Sequence, residues 1–138
     1  MMTTTDAEIR DILTSVKTIA LVGFSANPGR PSHGVAQFLK RKGFRVIPVN
    51  PGLAGQTFLG ETVYASLKDI QDPVDMVDVF RASEFVAEVM EEAIAIKAKV
   101  VWTQLDVVDE AAAAKGRAAG LKVVMDRCPA IEMPRLGL

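Results

Sequence analysis

Residues 19–34 read Ile-Ala-Leu-Val-Gly-Phe-Ser-Ala-Asn-Pro-Gly-Arg-Pro-Ser-His-Gly, and they constrain the fold of this chain more than any other stretch. An apolar strand over residues 19–22 runs into Gly23, a loop of small residues follows, and a helix is predicted from Ser32. A first strand that empties through such a turn into a helix N-terminus is how α/β proteins hold phosphates. The first amides of a helix have no intrahelical acceptor, and the helix dipole places partial positive charge at that end. Arg30 adds a full positive charge beside it. The stretch therefore predicts a phosphorylated nucleotide ligand, with Gly23 letting a phosphate approach the main chain.

The rest of the chain repeats the alternation of strand and helix. Thr5-Asp6-Ala7-Glu8 is a capping box, and Ile9, Ile12, Leu13 and Val16 follow at helical spacing. Ser32 is read as the N-cap of a helix with Val35, Phe38 and Leu39 on one face, stopped at Gly43. Residues 44–49 form the second strand, Asn50-Pro51-Gly52 ends it, and residues 52–64 read as loop. A short helical turn is expected over 66–70, and a third strand over 74–79. Ser83 is read as the cap of a helix burying Val86, Val89, Met90, Ala93 and Ile94. Val100 begins the fourth strand, Asp109 caps an alanine-rich helix ending at Gly120, and residues 121–125 form the fifth strand. Residues 127–138, with Pro129 and Pro134, read as an irregular tail. Short continuous Val/Ile runs belong in a parallel sheet covered on both faces. The expected fold is a three-layer α/β structure, a doubly wound Rossmann-like sheet of about five mainly parallel strands, in one domain over 1–138.

Composition narrows the function. The net charge of −1 gives no general attraction to nucleic acid or to an anionic membrane, so any anion site must be a local arrangement of arginines and amides. No apolar run approaches a membrane span. The N-terminal Met-Met-Thr-Thr-Thr-Asp is polar, without an apolar signal region, and Cys128 has no second cysteine to pair with, so a cytoplasmic location is expected.

In an open parallel sheet, ligands bind beyond the carboxyl ends of the strands. The first strand ends in Gly23, Phe24, Ser25, Ala26, Asn27, Pro28 and Arg30, and the second in Asn50 and Pro51. Phe80 and Arg81 follow the third strand, and Thr103, Gln104 and Leu105 the fourth. Asp126, Arg127, Cys128 and Pro129 follow the fifth. The collection holds three arginines, amides and hydroxyls, without an obvious metal set or an acid–base pair beside a nucleophile. It also departs from the NAD fingerprint G-x-G-x-x-G. Ser25 stands at the second glycine and Pro28 at the third, while Asn50-Pro51 stands where an acid would hold a ribose. Asn50 can still hydrogen-bond a ribose without repelling a phosphate.

Four segments in order, G-F-S-A-N-P-G-R-P-S, V-I-P-V-N-P, V-D-M-V-D-V-F-R and M-D-R-C-P, resemble the small stand-alone CoA-binding proteins of the YccU-like type. They are more distantly similar to the N-terminal CoA-binding domain of the succinyl-CoA synthetase α subunit. The resemblance runs from about residue 9 to residue 136. It implies coenzyme A as the ligand, with Ser25, Ala26, Asn27 and Pro28 wrapping its phosphates. It also implies contacts from Phe80 and Arg81 and from Gln104, Leu105 and Asp106. The synthetase has a CoA-contacting lysine near the position of Leu53, and here Arg81 or Arg30 is expected to supply that charge. The synthetase's catalytic histidine lies in a domain this chain lacks.

Plainer readings stand beside these. His33, the only histidine, is read as structural, Trp102 as core, and Asp78 as bonded to backbone or a nearby arginine. Asp126 and Arg127 can simply pair at the sheet edge. Cys128 is either an inert packing residue or a contact for the thiol of the ligand, with Arg127 favouring its thiolate. The expected function is binding of CoA or an acyl-CoA without catalysis, in a regulatory or carrier role whose protein client or homo-oligomer the sequence does not name. The alternatives are a small enzyme acting on CoA thioesters through Cys128 or His33, and a binder of NAD or ADP-ribose.

Overall fold

A computed structural model describes residues 4–138. In chain order the elements are α1 (Asp6–Ser15), β1 (Thr18–Val22), α2 (Pro31–Arg41), β2 (Arg45–Val49), β3 (Thr57–Phe58) and β4 (Glu61–Thr62). They continue with β5 (Met76–Val79), α3 (Val86–Ala95), β6 (Val100–Thr103), α4 (Glu110–Ala118), β7 (Lys122–Val124) and α5 (Pro129–Arg135). Short 3-10 turns lie at Pro51–Leu53, Leu67–Asp69 and Ser83–Phe85. The main sheet has the order β2-β1-β5-β6-β7, and every pair in it is parallel. The chain runs from β1 outward to β2, then returns to β5 on the other side of β1. The strand order therefore reverses between β1 and β5, and that is where a parallel sheet opens a crevice at its carboxyl edge.

The two faces of the sheet are both buried, which explains the unbroken apolar strands. Ala20, Val22, Ile47, Val77, Val79 and Val101 point into one core, covered by α3 and α4. Ile19, Leu21, Val46, Met76, Val100 and Trp102 alternate with them into the other, covered by α1, α2 and α5. Pro48 is tolerated inside β2 because β2 is an edge strand, where a missing N–H breaks no ladder. No helix among the described residues is long and apolar enough to cross a membrane.

Local signals held where the bonds are local. Thr5 and Glu8 form the reciprocal capping box of α1, and the Asp109 carboxylate accepts the Ala112 amide at the start of α4. Five expectations are corrected. The stretch 52–64 contains the antiparallel hairpin β3–β4, with Phe58 packed on Phe24 at 5.4 Å between ring centroids. The tail contains α5, which Pro129 opens at the first helical position, a place that does not need its N–H. Ser32 does not cap α2: Arg30 is the N-cap residue, without a side-chain bond, and Pro31 leads the helix. Ser83 likewise opens a 3-10 turn and sends its hydroxyl to the 106–108 loop, accepting the Val108 amide at 2.9 Å. The third large strand also starts at Met76, not at residue 74. Asp75 turns its carboxylate to the amides of Lys17 and Thr18, at 2.9 and 3.0 Å, and so closes the amino end of β1.

Candidate functional site

Beyond Val22 the chain stays tied to β2, because the amides of Gly23 and Phe24 both donate to the Val49 carbonyl. Gly23 has φ +89°, and a Cβ built there would lie 2.3 Å from the Phe80 carbonyl oxygen. The glycine is thus required by the close approach of the β1 turn to the end of β5, a requirement that exists without any ligand.

The loop that follows is held largely by its own polar groups. The Ser25 amide donates to Ser32 Oγ at 3.0 Å, the Asn27 amide to Ser25 Oγ at 3.1 Å, and the Gly29 amide to Asn27 Oδ1 at 2.9 Å. The Arg30 amide donates to the Asn27 carbonyl. Among the described residues, the amides of Ala26 and Ser32 make no hydrogen bond. The cradle of free amides is therefore smaller than the loop's composition suggests. Pro31 removes one helix-start donor, and the His33 amide turns back to the Arg30 carbonyl. His33 serves the loop. Its Nδ1 lies 3.0 Å from the Ser25 carbonyl, which can only accept, so Nδ1 carries a proton. The ring stacks on Phe24 at 5.7 Å.

Two cavities open at the carboxyl edge, and both touch Gly23, Asn50 and Arg81. The larger, about 550 Å³, lies on the α2 side. Its polar groups come from Ser25, Arg30, Ser32, Arg81 and Gln104, and its apolar wall from Phe24, Phe80, Leu105 and Cys128. Pro31, Val35, Ala82 and Val107 complete the wall and were not anticipated. The smaller cavity, about 420 Å³, faces α3, where Glu88 and Glu92 add acidic groups that the sequence reading missed. Pro51 belongs to this second cavity. Helical spacing places both acids on one turn of α3, but only the strand order brings that helix to the crevice.

Ala26, Asn27, Pro28, Asp106 and Arg127 lie off both walls. Asp106 adopts φ +66° and donates its amide to Asp126 Oδ1 at 2.7 Å, which braces the ends of β6 and β7 together. Arg127 pairs at the sheet edge, with Nη1 at 3.3 Å from the buried Glu132 carboxylate, which Arg135 also contacts. Asn50 clasps two segments: its Nδ2 donates to the Phe24 carbonyl and its Oδ1 accepts the Gly52 amide, each at 2.7 Å. Arg81 lies with its guanidinium carbon 4.0 Å from the centroid of the Phe85 ring, a cation–π contact that holds the charge at the junction of the cavities.

Beneath the larger cavity the expectations for two residues change. Asp78 is fully buried; its Oδ1 accepts from Gln104 Nε2 at 2.7 Å, and among the described residues it meets no arginine and its Oδ2 has no partner. Burial pushes its pKa up to about 7, against the smaller opposing effect of the Gln104 bond. Cys128 is buried, and burial pushes its thiol up as well; the amide of Ala130 opposes this and the nearby Asp78 adds to it. Arg127 does not activate the thiol, because its guanidinium turns to Glu132. Trp102 is core, as expected, with Nε1 donating to the Arg127 carbonyl at 2.8 Å.

Known proteins share this architecture. The chain is 41% identical over 128 residues to the uncharacterized protein YneT of Bacillus subtilis, covering 93% of each. It is 34% identical over 87 residues to an ADP-forming acetate–CoA ligase II of Archaeoglobus fulgidus, a match spanning 62% of this chain but 12% of the ligase. Among solved structures, a hypothetical protein from Pyrococcus horikoshii superposes with a TM-score of 0.91 at 40% identity, each chain covered in full. A dinucleotide-forming acetyl-coenzyme A synthetase of Ca. Korarchaeum cryptofilum shares the fold alone, with a TM-score of 0.66 at 21% identity over 78% of this chain and 25% of the synthetase. The family model described as a CoA binding domain matches residues 17–134, so this chain belongs to the CoA-binding domain family.

Proposed function

We propose that this chain binds coenzyme A or an acyl-CoA across the carboxyl edge of its sheet, without chemistry of its own. The observation that carries the reading is the cavity of about 550 Å³ beside the β1 turn, in a chain of the CoA-binding domain family. Its rim holds Arg30 and Arg81 and the free amide of Ser32, which suit a pyrophosphate. Its wall is mostly apolar with a few polar groups, which suits an arm of methylenes interrupted by amides. The free amide of Ala26 and the loop residues Asn27 and Pro28 lie close enough in sequence to close over the phosphates. Pro51, Asp106 and Arg127 are the outer members of the same edge.

The reading predicts that CoA binds the purified protein more tightly than NAD or ADP-ribose does, measured by calorimetry on protein stripped of ligand. Equal affinity, or a preference for NAD, defeats it. Incubation with acetyl-CoA tests the absence of chemistry: the thioester is expected to persist at the rate seen without protein.

A further inference from the structure

Asp78 is an odd residue to find where it is. It stands in β5 between Leu21 of β1 and Trp102 of β6, at 0% exposure, with one carboxyl oxygen unpartnered. A buried carboxylate oxygen without a donor is costly, and the neighbours of Asp78 in the strand are Val77 and Val79. Packing alone gives no reason for an acid at this position. Among the described residues its side chain bonds only to Gln104, 26 residues away, which lies on the wall of the larger cavity.

We propose that Asp78 is a positioning residue: it draws the Gln104 amino group inward, so that Gln104 Oε1 faces the larger cavity as an acceptor for an N–H of the ligand's amide-bearing arm. The proposal rests on the reading of this cavity as a CoA site. The ionised carboxylate only accepts, so the carboxamide beside it presents its NH2 group, with Nε2 at 2.7 Å from Oδ1, and its carbonyl oxygen is left on the other side. Among the described residues no hydrogen bond reaches Gln104 Oε1, and it is not among the buried unpartnered atoms. The residue cannot swing freely, because its amide donates to the Val79 carbonyl at 3.2 Å and its carbonyl accepts the Val107 amide at 3.0 Å. The nearby wall is apolar, formed by Phe80, Leu105, Val107 and Cys128. A single fixed acceptor in such a wall selects an amide N–H over an ester or methylene at the same place. The pantetheine arm of CoA offers two amide N–H groups, and adenosine 3′,5′-bisphosphate, its nucleotide part, offers none there.

The test compares CoA with adenosine 3′,5′-bisphosphate by calorimetry at pH 8, above the value of about 7 to which burial raises the Asp78 pKa. Asp78→Asn nearly preserves shape but has both a donor and an acceptor, so Gln104 is free to turn either way. The variant is expected to bind CoA roughly three- to tenfold more weakly and the bisphosphate unchanged. Gln104→Leu, which removes the acceptor and leaves Asp78 in place, is expected to do the same. In the Gln104→Leu background, adding Asp78→Asn is expected to have no further effect on CoA, because Asp78 acts through Gln104. The proposal is overturned if Asp78→Asn leaves CoA affinity intact, weakens both ligands alike, or adds its full effect to Gln104→Leu. Wild-type protein that binds the bisphosphate and CoA equally also overturns it, while the CoA reading survives. Wild-type protein that binds neither overturns both.

Discussion

Gly23→Ala tests whether the β1 turn is shaped by the fold or by a ligand. The new Cβ would lie 2.3 Å from the Phe80 carbonyl oxygen and 2.9 Å from its carbon, both backbone atoms. The Phe80 amide is bonded to the Val22 carbonyl at 2.8 Å and the strand behind it is paired on both sides, so the contact can be relieved only by turning the peptide that follows Phe80. The substituted residue would also keep φ near +89°, which costs about 1–3 kcal/mol for a non-glycine residue. Displacing the Phe80 peptide adds an overpacking cost of about 1–3 kcal/mol. The expected loss is therefore roughly 2–6 kcal/mol in the absence of ligand. For a domain of this size each kcal/mol lowers Tm by about 3–5 °C. Urea melts of the ligand-free protein, followed by circular dichroism, read the loss directly, with the slope m expected to stay constant. A variant as stable as wild type would refute the argument, and would mean that the turn relaxes away from β5. A variant that loses only CoA affinity would return the glycine to the phosphate role the sequence suggested.

Asp78 makes stability depend on pH in an unusual direction. Its folded pKa is about 7 against an ordinary value of 3.8, so between these values the folded chain keeps a proton that the unfolded chain has lost, and stability falls as pH rises through that window. From pH 5 to pH 8 wild type is expected to lose roughly 2.5 kcal/mol relative to Asp78→Asn, read from paired urea melts; parallel pH profiles would contradict the assignment. Arg30→Ala should weaken CoA binding by roughly 1.5–3 kcal/mol while the ligand-free Tm stays in place, because this exposed side chain makes no bond to the described residues. Unchanged affinity would show it to be only solvated. Cys128 should resist CoA disulfide and alkylating reagents in the folded protein and react readily in denaturant, since burial raises its thiol pKa. Rapid formation of a one-CoA adduct, seen by intact mass and reversed by reductant, would overturn that expectation.

Much of the fold was legible because its signals are short in range. The capping box of α1, the Asp109 cap and the glycine stop after α2 are bonds or conformations spanning a few residues. The Val/Ile runs announced strands buried on both sides, and the loop after β1 announced the crevice. The two misread caps turned on partners outside the helices they were expected to start. Ser32 and Ser83 have the chemistry of caps, but their hydroxyls bond to residues 25 and 108. The prolines of the tail suggested irregular chain; α5 forms there because Met133 is buried in the core and Glu132 lies between Arg127 and Arg135.

The candidate site divides in the same way. Sequence alone determined which residues stand at strand ends, since that follows from strand boundaries. It did not determine which of them share a wall, because strand order is a property of tertiary pairing. Only the position of β5 between β1 and β6 brings Phe80 against Gly23 and sets Asp78 under Gln104. The same placement decides the environment of Asp78. A carboxyl group has no character of its own as acid, base or clasp until the water and donors around it are known, and folding removes the water.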